Sequence, residues 1–113
     1  MTTTITDEVM RELLGRTRDY AFVTLAYGPG RDQPGADALV WEHGRRNFAL
    51  RAEGKLAIVG PLRGEGDIVG IYVFDASVDE ARSIMDEDPA VRAGLFTYRV
   101  YALRSFPGDC LPG

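Results

Sequence analysis

The chain holds one histidine and one cysteine in 113 residues, and each scarcity excludes a class of chemistry. A lone cysteine cannot close an intramolecular disulfide, so the pattern is that of a reducing compartment rather than a stapled secreted scaffold. One histidine and one cysteine cannot make a zinc site of the usual kinds. No apolar run approaches the ~20 residues needed to cross a bilayer. The opening MTTTITDEVMRELL is acidic and has no hydrophobic core segment, so it is not expected to act as a secretion signal. Basic charge is scarce as well. Thirteen Lys and Arg against 17 Asp and Glu leave a net charge of −4, which argues against a nucleic-acid binder. Arg45-Arg46 is the sole adjacent basic pair, and it reads as the solvated flank of a helix. The glycine-rich loop at residues 28–35 lacks the Gly-Lys-Ser/Thr ending of a phosphate cradle, and turn chemistry accounts for it. There is no nucleophile elbow and no dinucleotide fingerprint. These absences predict a soluble cytoplasmic domain with no nucleic-acid and no membrane partner.

What is present is enough for a single modest core, since 45% of residues are apolar. Residues 1–19 read as an added arm. Val9, Met10, Leu13 and Leu14 make a helical stripe over residues 7–14, which Gly15 ends. The domain proper spans residues 20–106, and an irregular tail, 107–113, carries Cys110 as an inert thiol. Residues 20–27 are rich in β-branched and aromatic side chains and predict the first strand. A helix follows over 36–53, with Asp37 as its cap and Gly54 at the left-handed stop. Val40, His43, Asn47 and Leu50 share one face of that helix, and Trp41, Phe48 and Ala52 form a second apolar edge. Strands are predicted at 56–62 and 67–74, joined through residues 63–66. Ser77-Val78-Asp79-Glu80 is a capping box that opens a second helix over 77–87. Asp88-Pro89 ends it, because the residue before proline is pushed out of helical geometry. A turn at 90–93 leads to a fourth strand at 95–103.

The order is β-α-β-β-α-β. That is the ferredoxin-like α+β pattern, a four-stranded antiparallel sheet with two helices on one face. Two helices cover only one side, yet the first and third strands are apolar on both. Phe22 and Ala26 back Val23 and Leu25, while Tyr72 and Phe74 back Ile71 and Val73. An antiparallel sheet with a wet face alternates instead. A second copy is therefore expected to cover the bare face, giving a homodimer.

The spacing of His43, Gly54 and the strand-ending Gly60-Pro61, followed by the DPAVRAGLF segment at residues 88–96, resembles the YCII-related (YciI-like) domains of the dimeric α/β-barrel superfamily. The likeness covers about residues 20–101. It implies a ferredoxin-like dimeric α/β barrel, and in some members elimination on small hydroxylated rings, with lactone isomerisation among superfamily relatives. It implies no cofactor. The family's histidine–aspartate pair falls on His43 and Asp88. The chain departs from the pattern in its arm and at Arg46 and Asn47, where relatives often carry apolar residues.

On the residues alone, His43 reads as a helix-face histidine satisfied by one hydrogen bond, and Asp88 as a helix-ending Asp-Pro turn. The resemblance moves both toward a site. Histidine as a residue type titrates near neutral pH, and a neighbouring carboxylate fixes its tautomer. Such a pair suits proton removal next to a carbonyl or phenol without a cofactor or metal. Arg63, Tyr72 and Tyr98 are candidates to bind the substrate, a small cyclic or aromatic molecule. The expectation is a cofactor-independent lyase or isomerase. The alternative is a non-catalytic dimeric domain for small-molecule binding or assembly.

Overall fold

A computed structural model describes residues 2–113. Its elements run α1 (Asp7–Leu14), β1 (Arg18–Tyr27), α2 (Ala36–Ala52), β2 (Leu56–Pro61), β3 (Ile68–Phe74), α3 (Val78–Asp86), α4 (Pro89–Arg92) and β4 (Phe96–Ser105). The sheet order is β2-β3-β1-β4 with every pairing antiparallel. This is the ferredoxin-like α+β architecture, with α1 added before it and the one-turn α4 inserted before the last strand.

Alternation along β1 decides which face is covered. Ala21, Val23 and Leu25 are buried, and the residues between them are half-buried. In β3 the buried set is Gly70, Tyr72 and Phe74. The side chains of Ala21, Val23, Leu25, Tyr72 and Phe74 meet Ala81 and Met85 of α3, Ala90 of α4, Leu56, Leu95 and Phe96, which together form the core. The two long helices divide the sheet between them: α3 packs on β1 and β4, while α2 packs on β2 and α4. On the opposite face, Phe22 pairs in register with Val73 and Tyr101, and Thr24 with Ile71. Phe22, Thr24, Ile71 and Val73 are half-buried and Tyr101 is exposed, since the helices that cover the core lie on the other face.

Local capping explains the helix boundaries, with two departures from expectation. Ser77 Oγ accepts the Glu80 N–H at 3.1 Å, as a capping box requires. The reciprocal half does not form, because the Glu80 carboxylate turns to Lys55 Nζ at 2.6 Å. Nor does Asp37 cap α2. The N-cap is Gly35, at φ +80° with no side-chain bond, and Asp37 sits in the first turn, where its charge complements the helix dipole. The cause is the loop before it. Gly28 N–H donates to Leu95 O at 2.8 Å and Gly30 N–H to Gly94 O at 2.9 Å, tying the loop to the junction of α4 and β4. A Cβ on Gly28 would fall 2.4 Å from Gly94 O, so this close approach needs glycine.

The arm stands apart. Thr6 caps α1 through the Val9 N–H at 3.2 Å, but the helix buries no residue. Its root is fixed to β4, since Arg104 donates to Thr17 Oγ1 at 2.8 Å and to Leu14 O at 3.1 Å. The radius of gyration, 16.8 Å, exceeds the value of about 13 Å usual for this length because of such projections. Among the described residues no helix is long and apolar enough to cross a membrane.

Candidate functional site

His43 is the only buried residue of α2. Ala36, Leu39 and Leu50 pack against the core only partly buried, whereas the most deeply buried side chain is an imidazole, so the surroundings must satisfy it. Asp88 does so from the other side. It is the N-cap of α4, followed by Pro89 in the first helical position, an arrangement whose fixed φ suits a helix start. Asp88 Oδ1 accepts the N–H groups of Ala90 at 2.9 Å and Val91 at 3.3 Å. That leaves Oδ2 for His43 Nδ1, at 2.7 Å. The cap locks the carboxylate, and the carboxylate then orients the ring.

Asp88 is fully buried. Burial on its own would push its carboxyl up. The hydrogen bond and charge of His43, with the two backbone donors, outweigh that and hold it below the usual aspartate range. Asp88 therefore stays ionised and can only accept, so Nδ1 carries a ring proton, and in the neutral ring Nε2 is the nitrogen with the lone pair. Tyr72 Oη lies 3.1 Å from Nε2 and is placed to donate to it when the ring is neutral. Asn47 Nδ2 in turn donates to Tyr72 Oη at 3.2 Å and approaches Nε2 at 3.4 Å. Burial, the largest effect on Tyr72, raises its hydroxyl well above the ordinary tyrosine range, so it remains an O–H donor. Every donor in the chain from Asn47 through Tyr72 and His43 to Asp88 points the same way.

Packing fixes the ring as well. Phe96 lies 4.9 Å from it, centroid to centroid, and Tyr72 meets it edge-on at 6.3 Å. Behind the pair, Arg46 places Nη1 at 3.8 Å from Asp88 Oδ2 and Nη2 at 3.9 Å from Glu87. These are attractive distances but beyond hydrogen-bond reach, and the buried Nη1 makes no hydrogen bond.

In front of the ring, between α2 and the β2–β3 half of the sheet, lies a cavity of about 730 Å3. Its walls are largely apolar, among them Leu25, Phe48, Val59 and Phe96, with His43, Asn47, Tyr72 and Arg51 as polar points. Asp109, Cys110 and Leu111 of the tail also line it, so the tail is not remote from the site. Among the described residues no three His, Cys, Asp or Glu side chains group as a metal site would require.

The structure thus brings together three of the five residues singled out from sequence. His43 and Asp88 are in contact, and Tyr72 closes on Nε2. Tyr98 is elsewhere. Its strand position also faces the helices, but under α3, where its hydroxyl donates to Asp86 Oδ1 at 2.6 Å and to Arg82 O at 3.3 Å. Partial burial and that bond to a carboxylate push it up to about 12. Arg63 is exposed on the β2–β3 connection and does not line the cavity. Asn47, Arg51 and Phe96 were not singled out for the site. Asn47 and Arg51 had a legible signal, since they follow His43 at intervals of four on one helix.

An α+β ferredoxin-like domain with a buried histidine–aspartate pair beside an apolar cavity is the class that fold and geometry define. The chain belongs to the YCII-related domain family, which matches residues 20–104. Among solved structures it is similar to 5-chloro-2-hydroxyhydroquinone dehydrochlorinase (TftG) from Burkholderia phenoliruptrix AC1100, in complex with 2,5-dihydroxybenzoquinone. The identity is 23%, the match covers 72% of this chain and 90% of that one, and the TM-score is 0.49. No curated protein matches the chain.

Proposed function

We propose that the protein is a small acid–base enzyme of the lyase or isomerase type. It acts on a small cyclic or aromatic molecule, with His43 as general base and acid and Asp88 as the group that orients it. The observation that carries this reading is the 2.7 Å contact between His43 Nδ1 and a buried carboxylate held ionised. It holds the ring at the wall of a cavity wide enough for one small ring, with Nε2 bonded to Tyr72 there. Nε2 takes a proton from a carbon next to a carbonyl or from a ring hydroxyl. The imidazolium so formed is stabilised by Asp88 and returns the proton elsewhere on the substrate, or keeps it while a leaving group departs. Tyr72 yields its hydrogen bond as the substrate arrives and is a positioning residue.

The working unit in this reading is a cytoplasmic homodimer, closed through the sheet face that bears Phe22, Ile71 and Val73. A second reading has one observation in its favour: Nε2 already has a partner in Tyr72 at 3.1 Å. A fully satisfied network suits a non-catalytic binding domain. The two part in heavy water, with a panel of enolisable cyclic ketones and halogenated hydroxylated rings. Deuterium incorporation or halide release that falls about 10²–10⁴-fold in His43→Gln supports the enzyme. Turnover unchanged by that substitution, or none across the panel in the parent, supports the binding domain.

A further inference from the structure

Three of the polar points of the cavity lie on one helix. His43, Asn47 and Arg51 occupy positions i, i+4 and i+8 of α2, one row inclined along the helix wall. The facing wall, from Leu25, Val59 and Val69, is apolar apart from the hydroxyls of Tyr27 and Tyr72. A ligand that fits has one polar edge laid along the helix and an apolar body turned to the sheet.

The far end of the row carries a positive charge. Arg45 pairs with Glu42 at 3.3 Å and Arg46 stands 3.8 Å from Asp88, so the other two arginines of α2 face carboxylates. Arg51 has none within 4.0 Å among the described residues and is the one cationic side chain lining the cavity. In a chain of net charge −4, the surrounding field repels anions, so a cation presented at the cavity wall supplies local selectivity that the whole molecule does not. Arg51 is itself exposed at the mouth of the cavity, so it meets a ligand from the solvent side.

We propose that the ligand is a carboxylate on a small ring: the ring's reactive hydroxyl or acidic C–H lies at His43 Nε2, and its carboxylate is held by Arg51. Eight residues of helix separate the two Cα atoms by about 12 Å. Helical side chains lean toward the N-terminus, which turns the long Arg51 side chain back toward Asn47 and His43. The gap left suits one ring with a short substituent, and Asn47 lies between to meet a polar atom on its edge. This deepens the proposed function and rests on it. Asp109, the one carboxylate at the cavity, opposes the ligand's charge, so Asp109→Asn strengthens binding.

The test uses two probes of one shape, 4-hydroxybenzoate and 4-hydroxybenzamide, titrated into the full chain at neutral pH. The ring protons of the single histidine report occupancy by NMR. The expected result is that the carboxylate binds at least about ten-fold more tightly than the amide, that Arg51→Gln brings the two level, and that Arg51→Lys restores part of the difference. Equal binding of the two probes, or a preference that survives Arg51→Gln, overturns the carboxylate inference and leaves the ring-binding site standing. If neither probe moves the His43 signals at millimolar concentration, the inference falls and the small-ring reading of the cavity falls with it.

Discussion

Helices α2 and α3 lie on the same face of the sheet and do opposite things. α3 begins with a side-chain cap from Ser77 and drives Ala81 and Met85 into the core. α2 begins on a glycine that offers no side chain and buries only His43, leaving Trp41 70% and Phe48 65% exposed. One helix closes its half of the sheet with methyl and thioether groups. The other stands over its half and encloses a cavity whose floor is hydrogen bonded rather than packed. Apolar packing and buried hydrogen bonding are thereby concentrated in different halves of one sheet.

Removing Met85 is expected to have the largest effect on stability. Its side chain is 1% exposed, and Met85→Ala should cost about 2–5 kcal/mol in denaturant unfolding, with the hydrogen bonds around His43 intact in whatever fraction stays folded. Loss of those bonds in folded protein would show that the two halves are not separable. Asp88→Ala strikes the other half. It removes the cap of α4 and leaves the His43 ring N–H buried without an acceptor, a combined cost of about 2–4 kcal/mol. Unlike Met85→Ala, it should also abolish turnover in the native fraction. A cost under about 1 kcal/mol would mean that water replaces the carboxylate freely.

The smallest effect is the acid limb, and its sign follows from Asp88. Its folded carboxyl titrates below the value of about 3.9 that the unfolded chain would show. The stabilisation is therefore complete above that value and is lost as pH falls through the lower, folded one. Thermal unfolding between pH 6 and pH 2 should show a steeper acid loss in the parent than in Asp88→Asn. Parallel curves would remove Asp88 from the acid response.

How much of this was legible in the sequence depends on how local the signal was. Capping and stop signals act over a few residues, so Ser77, Gly54 and the Asp88-Pro89 break were readable, and the strands came within about two residues of their ends. β1 starts at Arg18 and β4 ends at Ser105, each a pair of residues beyond its apolar run, because paired backbones extend each other. Asp88 shows the limit of local reading. It was legible as the end of one helix, yet it also begins the next, and its link to His43 spans 45 residues. Tyr72 and Tyr98 show why the site was only partly readable. Both face the helices from strands beside β1, and the sheet order alone sends one under α2 and the other under α3. No motif encodes that choice. Asn47 could have been found from its spacing to His43, but its tie to Tyr72 belongs to the packed fold.

The central claim is a direction: with the ring neutral, donors point from Asn47 to Tyr72, from Tyr72 to His43 Nε2, and from His43 Nδ1 to Asp88. With one histidine in the chain, long-range proton–nitrogen correlation on uniformly 15N-labelled protein reads the ring without assignment. Measured at a pH where the ring is neutral, the account predicts a protonated Nδ1 and a bare Nε2. A ring protonated at Nε2 would break the contact with Asp88 as described, and with it the case for His43 as a base facing the cavity.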